Sequence, residues 1–434
     1  MIYQVFTTLL KYKPMRLLLQ RLKRGKLIKS LVPMLKEWYD KDFIFQSPSI
    51  TFLGQKSLMD LSKILSYVKF NKPLIITDQI LIKLGVVVEV INVLKHHKIK
   101  SIIFDGVQAN PTTAVVNNIV DLYHQQGCDA LISIGGGSAH DAAKAASLTL
   151  TNTKSIKKMQ GINTTHNVSL MPIIAINTTA GTGSGATNVA VITDQQKHFK
   201  MTLVDKNIQP NVLVDDSDLM MKLPQKPSVW VGVDALVHAI EAELSIYSNL
   251  LSKIYARQCM HLVYKYLPTV YCDQSNKQAR EKMAYAEFLG GMAFNSASLG
   301  FIHSLSHALS GMFDVPHGLA NAVIMPYVLD YEINRKNVAH QLGKIADFMG
   351  IDVLANDEFN KAKETIQKIA NFLKNLGIPH TLSELQLQIT KKQIRKMSLH
   401  AMKDFCGISN PVQFSRREVK HIYQNAINGS FENI

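Results

Sequence analysis

Five residues in the second half of the chain have the types and spacing of a metal site. Asp234 and His238 are four residues apart, as are His303 and His307, and His317 follows in a Pro-His-Gly segment. Residues four apart lie on one face of a helix, so each pair can present both side chains in one direction. Imidazoles combined with a carboxylate suit Fe²⁺ or Zn²⁺ better than Ca²⁺. A single histidine is more often a core or surface residue, but burying several polar rings without a partner is costly.

A glycine loop in the first half predicts an anion-binding site. The loop Gly135–Ser138 follows the apolar run Ala130–Ile134 and precedes a helical pattern. Without Cβ atoms the backbone N–H groups can approach a phosphate, and the dipole of the helix that follows adds partial positive charge. Asp141, in the first turn of that helix, would repel a phosphate unless its side chain turns away. The alternative is a tight turn that holds no ligand.

A second loop strengthens this prediction. Thr178–Gly185 is rich in glycine and hydroxyl side chains and also follows an apolar run, which suits a polar ligand clamped at a strand end. Neither loop is a G-x-G-x-x-G or a Walker A sequence, but two such loops in one region favour dinucleotide binding. Asp78, after the run Leu74–Thr77, is expected either to accept hydrogen bonds from a ribose or to initiate a turn.

The elements that must position these loops alternate between short apolar runs and helical patterns from about residue 50 to residue 214. Strands separated by helices imply βαβ units, a largely parallel sheet and ligands at the carboxyl ends of its strands. Helices are predicted over Ile80–His97 and Ala114–Gln126. The predicted strands are Leu74–Thr77, Ser101–Phe104, Ala130–Ile134, Pro172–Ile176, Val189–Thr193 and Val212–Val214.

After about residue 220 the pattern changes to helices alone. The predicted helices are Val229–Ser245, Leu251–Tyr266, Lys277–Gly300, Ile302–Ser310, Asn337–Met349, Phe359–Leu376 and Arg417–Ile427. The sequence therefore predicts a basic N-terminal extension (1–43), an α/β dinucleotide-binding domain with a parallel sheet (44–220) and an all-helical metal-binding domain (221–434). Sites tend to lie in the cleft between two such domains.

Composition excludes several classes of protein. The 434 residues include 47% hydrophobic and 19% charged side chains, which is typical of a globular chain rather than a disordered one. No run approaches the roughly 18 apolar residues of a membrane-spanning helix, so we expect no integral membrane segment. The four cysteines form no C-x-x-C pair, which argues against a disulfide scaffold or a zinc ribbon, and we expect a cytoplasmic protein.

The net charge of +15 is concentrated near the N terminus. Residues 1–42 carry ten Lys and Arg against three acidic residues, so the rest of the chain has a surplus of only +8. We therefore expect no nucleic-acid partner. The extension is basic and amphipathic, which predicts a helical appendage packed on the protein or lying on an anionic membrane surface, with a targeting segment as the alternative.

Seven stretches of the chain share the pattern of one enzyme family. They are Gly135-Gly-Gly-Ser-x-x-Asp141-x-x-Lys144, Thr178-Thr-Ala-Gly-Thr-Gly-Ser184, Asp234-Ala-Leu-x-His238-Ala-Ile-Glu241, His303-x-x-x-His307-x(9)-His317-Gly318-x-x-Asn321-Ala322, Asp105-Gly-Val-x-x-Asn110-Pro111-Thr112, Leu376-Gly-Ile-Pro379 and Cys406-x-x-x-Asn410-Pro411. In this combination and order the chain resembles the iron-containing (group III) alcohol dehydrogenases over about residues 44–430.

The resemblance implies a two-domain fold with NAD(P) in the α/β domain and one divalent iron in the helical domain. It makes His307 a proton-relay residue near the metal. The implied metal ligands are Asp234, His238, His303 and His317. The implied cofactor residues are Gly136, Gly137 and Ser138 at the pyrophosphate and Thr178, Thr179 and Lys200 on the nicotinamide side. Members of the family are often homodimers, so we expect a homodimer here.

Two positions depart from the family pattern. Gly185 stands where a glutamate is usual, and Ala139 stands where a proline is usual. Neither is an implied metal ligand, so the departures concern the affinity for the cofactor or the shape of the cleft.

The expected reaction is the reversible transfer of a hydride between a primary alcohol and NAD, with Fe²⁺ or, alternatively, Zn²⁺ as the metal. NADP is the less expected cofactor because Asp78 would repel a 2′-phosphate. Two other functions remain open: a transhydrogenase that retains NAD and acts on a hydroxyacid and an oxoacid, and a metallohydrolase. Phe294 is expected either to line the substrate side of the cleft or to pack in the core.

Overall fold

The computed structural model of the protein describes residues 45–152, 155–163, 171–197 and 199–434. The predicted basic extension over residues 1–43 lies outside these ranges. In the described chain the strands are β1 (Ile50–Leu53), β2 (Pro73–Ile76), β3 (Ile102–Phe104), β4 (Ala130–Gly135), β5 (Gly161–Ile162), β6 (Ile173–Asn177), β7 (Val189–Asp194), β8 (Phe199–Val204) and β9 (Val212–Asp215).

The α-helices of the same ranges divide between the two halves. Those before residue 221 are α1 (Leu61–Tyr67), α2 (Gln79–Lys83), α3 (Val86–His96), α4 (Thr113–Gln126), α5 (Gly137–Thr151) and α6 (Ser217–Met220). Those after it are α7 (Gln225–Leu244), α8 (Leu250–Cys272), α9 (Lys277–Ala297), α10 (Phe301–Phe313), α11 (His317–Glu332), α12 (Lys336–Met349), α13 (Glu358–Asn375), α14 (Lys391–Ala401) and α15 (Arg416–Asn428). An α/β domain is thus followed by a helical domain, as the sequence predicts.

Six strands form one parallel sheet in the order β1-β9-β6-β4-β2-β3. Strands β4 and β6 are buried along their whole length because apolar clusters cover both faces of the sheet, which explains their uninterrupted apolar sequences. The chain continues from β2 to one side of the sheet and from β4 to the other, so the strand order reverses at the β2–β4 pair. In open α/β sheets the crevice at such a reversal is the usual ligand site.

The run Val189–Thr193 is a strand, but its predicted place in the parallel sheet is wrong. It forms β7 of a second, three-stranded sheet of order β5-β8-β7, where it pairs antiparallel with β8. The turn between β7 and β8 is held by Asp194, whose Oδ1 accepts the N–H of Gln196 at 3.0 Å. A connection this short permits only antiparallel pairing, whereas a parallel neighbour needs a long crossover.

Three differences concern helices. The predicted helix Ile80–His97 is two helices, α2 and α3, because Gly85 adopts φ +74° between them. Helices α1, α6, α11 and α14 are absent from the prediction. The Pro-His-Gly segment looks like a turn in the sequence, but His317 is the first residue of α11, preceded by Pro316.

The helical domain is built around α7. Every residue from Val233 to Leu244 is buried, so this helix is enclosed on all sides rather than amphipathic. Any polar side chain on it must find its partner inside the protein. Among the residues that the structure describes, every helix is too short or too polar to cross a bilayer.

Candidate metal and cofactor site

The predicted metal-binding residues converge from three helices. Asp234 and His238 project from the buried helix α7, His303 from α10, and His317 from the first turn of α11. The Nε2 atoms of His238 and His303 each lie 3.8 Å from Oδ1 of Asp234, and Nε2 of His317 lies 3.7 Å from the same oxygen. Four residues that span 84 positions of the chain therefore direct a carboxylate oxygen and three imidazole nitrogens towards one point.

The spacing of these atoms fits a shared cation. Separations of 3.7–3.8 Å are too long for hydrogen bonds between the imidazoles and the carboxylate. Ligands with metal bonds of about 2.1 Å lie about 3.4 Å apart in a tetrahedral site. The observed distances are close to that value, and the donor set of imidazoles and one carboxylate matches the chemistry of a first-row divalent metal.

The imidazoles are held in the form that binds a metal. Burial lowers the pKa of His238 to about 4 and that of His303 to about 3, although the carboxylate of Asp234 opposes the effect. Burial, together with the cation of Lys200, also takes the pKa of His317 well below its usual value. All three rings are therefore neutral near pH 7, and each has a nitrogen lone pair available.

Glu241, one turn after His238 on α7, orients His303. Its Oε2 lies 2.5 Å from Nδ1 of His303, and its Oε1 accepts the N–H of Ile302 at 2.7 Å. Burial raises the pKa of Glu241 to about 7, and these backbone hydrogen bonds oppose the rise. With the proton of His303 on Nδ1, its Nε2 is free to face Asp234. Glu241 has no predicted role, although its position three residues after His238 places it near that face of the helix.

Asn321, for which the sequence predicts no role, also belongs to this cluster. It is fully buried, and its Nδ2 lies 2.7 Å from Oδ1 of Asp234 and 3.2 Å from Nε2 of both His303 and His317. Its position four residues after His317 on α11 is the signal that could have indicated it. The side-chain amide of Asn321 can rotate by 180° with little change in shape. Its NH₂ group can donate to the oxygen and nitrogen atoms of the cluster, and in the other orientation its oxygen can face a cation.

His307 lies beside the cluster rather than in it. Its ring centre is 5.0 Å from that of His317, and its Nδ1 lies 2.9 Å from Oδ2 of Asp404. Burial by itself would raise the pKa of Asp404, but His307 and the N–H of Cys406 outweigh it and hold that pKa below its usual range. An ionised Asp404 fixes the Nδ1–H tautomer of His307, which leaves Nε2 as a proton acceptor.

The two glycine loops contact each other. A Cβ on Gly136 would lie 2.7 Å from Oγ1 of Thr179, and one on Gly137 would lie 3.0 Å from Cγ2 of Thr182. Gly136 is the N-cap of the fifteen-residue helix α5, so a free helix N-terminus faces this narrow gap. The hydroxyl of Thr179 is buried and has no partner within the described chain. A glycine cradle, a helix dipole and an unpaired hydroxyl together fit the phosphates of a dinucleotide.

The predicted cofactor residues do not all lie in one place. Gly137, Ser138 and Lys200 line a cleft of about 140 Å³. The same cleft is lined by the three histidines of the cluster, by Asp234 and by the neighbouring His307. Burial lowers the pKa of Lys200 to about 8, opposed by nearby carboxylates. Asp78 lies outside that lining and caps α2, where its Oδ1 accepts the N–H of Leu81 at 2.9 Å. The turn-initiating role is thus present, and Asp78 also follows β2 at the crevice of the sheet.

Asp141 and Lys144 hold the second glycine loop by hydrogen bonds. Oδ1 of Asp141 accepts the hydroxyl of Ser184 at 2.7 Å, and its Oδ2 accepts the N–H of Val191 at 3.0 Å. Nζ of the buried Lys144 donates to the same hydroxyl at 3.0 Å and to the carbonyl of Val189 at 2.7 Å. Both carboxylate oxygens are therefore occupied by donors of the protein, although Asp141 lines the same cleft as Gly137 and Ser138. These contacts tie α5 to the loop Thr178–Gly185.

The glycines of the second loop also serve the junction between the two domains. A Cβ on Gly181 would lie 2.1 Å from the carbonyl oxygen of Val231 on α7, and one on Gly183 would lie 2.5 Å from Cα of Gly291 on α9. At the departure Gly185, a Cβ would lie 2.7 Å from Leu213, so the missing side chain is matched by closer packing. The loop thus contacts α5 on one side and the helical domain on the other.

Comparison with known proteins places this architecture in one family. Residues 48–217 match the family described as "Iron-containing alcohol dehydrogenase", and residues 228–427 match "Fe-containing alcohol dehydrogenase family, C-terminal". The chain belongs to the iron-containing alcohol dehydrogenase family and is an oxidoreductase. The departures at Gly185 and Ala139 therefore occur within an otherwise family-typical chain.

Individual relatives cover most of the chain. Alcohol dehydrogenase 4 of Schizosaccharomyces pombe is 38% identical over 88% of this chain and 89% of its own. The NAD-dependent methanol dehydrogenase of Bacillus methanolicus is 35% identical over 88% of this chain and 99% of its own. Among solved structures, a 1,3-propanediol oxidoreductase is 33% identical with a TM-score of 0.85, covering 89% of this chain and 100% of that one.

Proposed function

We propose that the protein is an NAD-dependent, iron-loaded enzyme that interconverts a primary alcohol and its aldehyde. One observation carries the proposal: a single cleft is lined both by residues of the first glycine loop and by the Asp–His cluster. Hydride transfer needs a substrate oxygen at the metal and a nicotinamide next to the same carbon, so both sites must open into one space. A metallohydrolase would need only the cluster.

The metal is assigned to Asp234, His238, His303 and His317, with Fe²⁺ as the expected ion and Zn²⁺ as the alternative. A bound divalent ion would supply Lewis-acid polarisation of the alcohol or carbonyl oxygen. Glu241 keeps His303 in the tautomer that such an ion requires. Asp234, His238 and His303 are buried, so an ion held by them would be largely shielded from bulk solvent.

The cofactor is assigned to the crevice between β2 and β4. Gly136, Gly137 and Ser138 would hold the pyrophosphate at the N-terminus of α5, with Thr178, Thr179 and Lys200 towards the nicotinamide. Bound NAD would accept or donate the hydride. The remaining oxygen of Asp78 would accept from the adenosine ribose and disfavour NADP.

Proton transfer to and from the substrate oxygen is assigned to His307. Its Nδ1–H is committed to Asp404, so its Nε2 can take the hydroxyl proton of the alcohol as the hydride leaves and return it during aldehyde reduction. The ring stacks against His317 with 5.0 Å between centres, which supports a role for His307 in proton transfer next to the proposed metal ligands. The homodimer and the cytoplasmic location stay predictions.

Metal reconstitution tests the proposal. Protein stripped of metal is reloaded with Fe²⁺ or Zn²⁺, and NADH oxidation is followed with a series of aldehydes. His303→Ala and His317→Ala should lose both bound metal and turnover while staying folded. The control His261→Ala, on α8 and outside the lining of the cleft, should keep both. Full activity without metal would contradict the assignment, and turnover without added cofactor would indicate the transhydrogenase that retains NAD.

A further inference from the structure

A second group of side chains with metal-ligating atoms lies beside the Asp–His cluster. His307 on α10 meets Asp404 and Cys406, which belong to the segment that follows α14. Each of the three residues is buried and offers one ligand atom, and these atoms lie within 4.8 Å of one another. We call this group the thiol cluster, because it combines an imidazole and a carboxylate with a cysteine sulfur.

Asp404 connects the other two members of the thiol cluster. Its Oδ2 lies 2.9 Å from Nδ1 of His307, and its Oδ1 accepts the N–H of Cys406 at 2.9 Å. The thiol of Cys406 is also hydrogen-bonded to this carboxylate. Two of the three contacts therefore place a side-chain proton between two ligand atoms, where a cation can replace it.

The charges around the thiol favour a cation. Burial raises the pKa of Cys406 well above its usual value, and the carboxylates of Asp404 and Glu241 raise it further. The negative potential that disfavours a free thiolate attracts a divalent ion, which binds the thiolate and displaces its proton. Lys200, which also interacts with Asp404, opposes this attraction, but burial lowers its pKa to about 8.

The thiol cluster can be reached from the cleft, and its ligand types differ from those of the Asp–His cluster. His307 and Cys406 both line the cleft, so an ion held by them could keep a water ligand on that side. One thiolate, one imidazole and one carboxylate suit Zn²⁺, which takes sulfur, nitrogen and oxygen ligands in tetrahedral sites. The Asp–His cluster contains no sulfur, so a thiolate ligand distinguishes the two groups.

We propose that His307, Asp404 and Cys406 form a second metal site, at which Zn²⁺ inhibits the enzyme. When the ion binds, the thiol of Cys406 releases its proton to solvent, and the proton on Nδ1 of His307 moves to Nε2 as Nδ1 becomes a ligand. Nε2 can then no longer accept the proton of the alcohol. The inhibition rests on the proposed function of His307, whereas the binding of the ion does not.

Titration of the metal-free protein with Co²⁺ tests the binding. A thiolate ligand gives Co²⁺ a charge-transfer absorption in the near ultraviolet, so we expect two bound ions per chain and this absorption from one of them. Cys406→Ala should lack the absorption and bind one ion as before. Its affinity for the second ion should fall by at least the roughly 10- to 100-fold that loss of an outer partner costs. Cys272→Ala, which removes an exposed cysteine at the end of α8, is the control and should keep both ions.

Turnover of the iron-loaded enzyme with increasing Zn²⁺ tests the inhibition, with bound iron measured after each addition. The wild type and Cys272→Ala should lose about 100-fold in kcat while iron stays bound, because proton transfer by a positioned side chain contributes at least that much. Cys406→Ala should keep its own starting rate. Thermal unfolding of each variant checks the fold.

The outcomes separate this site from the proposed function. Absorption that is absent from the wild type, or that Cys406→Ala retains, would overturn the site. Zinc binding without loss of turnover would overturn the inhibitory role, and inhibition accompanied by release of iron would show that Zn²⁺ acts at the Asp–His cluster instead. An iron-loaded enzyme that is inactive before zinc is added would contradict the proposed function and leave the Co²⁺ result unaffected.

Discussion

Replacing Glu241 by glutamine tests whether Glu241 sets the tautomer of His303, one of the proposed metal ligands. In the wild type Oε1 accepts the N–H groups of Ile302 at 2.7 Å and His303 at 3.3 Å, while Oε2 faces Nδ1 of His303 at 2.5 Å. A carboxylate accepts at both ends, but a carboxamide accepts at one end and donates at the other. In Glu241→Gln the NH₂ group must therefore face either the two backbone donors or Nδ1 of the imidazole.

Both arrangements are costly. If the NH₂ group faces the backbone, a buried N–H loses its acceptor, which costs about 1–3 kcal/mol. If it faces Nδ1 of His303, it favours the tautomer with the proton on Nε2, the nitrogen that lies 3.8 Å from Asp234 and would bind the metal. Loss of a comparable partner weakens metal binding about 10- to 100-fold, which is about 1.4–2.7 kcal/mol. We expect a loss of that size in Glu241→Gln.

Metal competition against a chelator of known affinity measures this loss, and thermal unfolding of the metal-free protein checks the fold. Glu243→Gln is the matched control, because Glu243 is buried on the same helix but pairs with Arg257 at 2.9 Å and not with the cluster. It should keep the metal affinity of the wild type. If Glu241→Gln also bound the metal as tightly as the wild type, the inference that Glu241 sets the tautomer of His303 would be refuted.

Three further predictions follow from single contacts. Asp404→Asn should lower kcat more than tenfold with little change in KM or metal content, because His307 loses the anion that fixes its tautomer. Steady-state kinetics distinguish the effect on kcat from the effect on KM. Gly318→Ala should destabilise the protein by about 1–3 kcal/mol in urea unfolding, because its Cβ would lie 2.2 Å from a carbonyl oxygen of α7. In the control Gly343→Ala the new Cβ would lie no closer than 3.4 Å to the side chain of Lys361, so stability should not change. Burial raises the pKa of Glu287, so the folded protein holds a proton that the unfolded chain releases, and the free energy of unfolding should fall as the pH rises above about 5. In Glu287→Gln this dependence on pH should be weaker, by up to about 1.4 kcal/mol per pH unit.

The sequence was informative wherever the determinant is local. The four-residue spacing of Asp234 and His238 indicates a shared helix face, and the apolar runs before the two glycine loops indicate buried strands. These features depend on backbone periodicity, which adjacent residues set among themselves. Gly85 shows where even a local prediction fails, because one left-handed residue ends a helix within an unbroken apolar pattern.

The partners of the site residues were decided by packing. Glu241 meets His303 across 62 positions of the chain, and Asp404 meets His307 across 97. The second glycine loop looks like a ligand clamp in the sequence, yet two of its glycines are required by the approach of α7 and α9. A side chain's own neighbours in sequence fix the helix face it occupies, but not what lies against that face. That depends on how the helices and the sheet pack together, because contact energies between distant segments exist only in the folded chain.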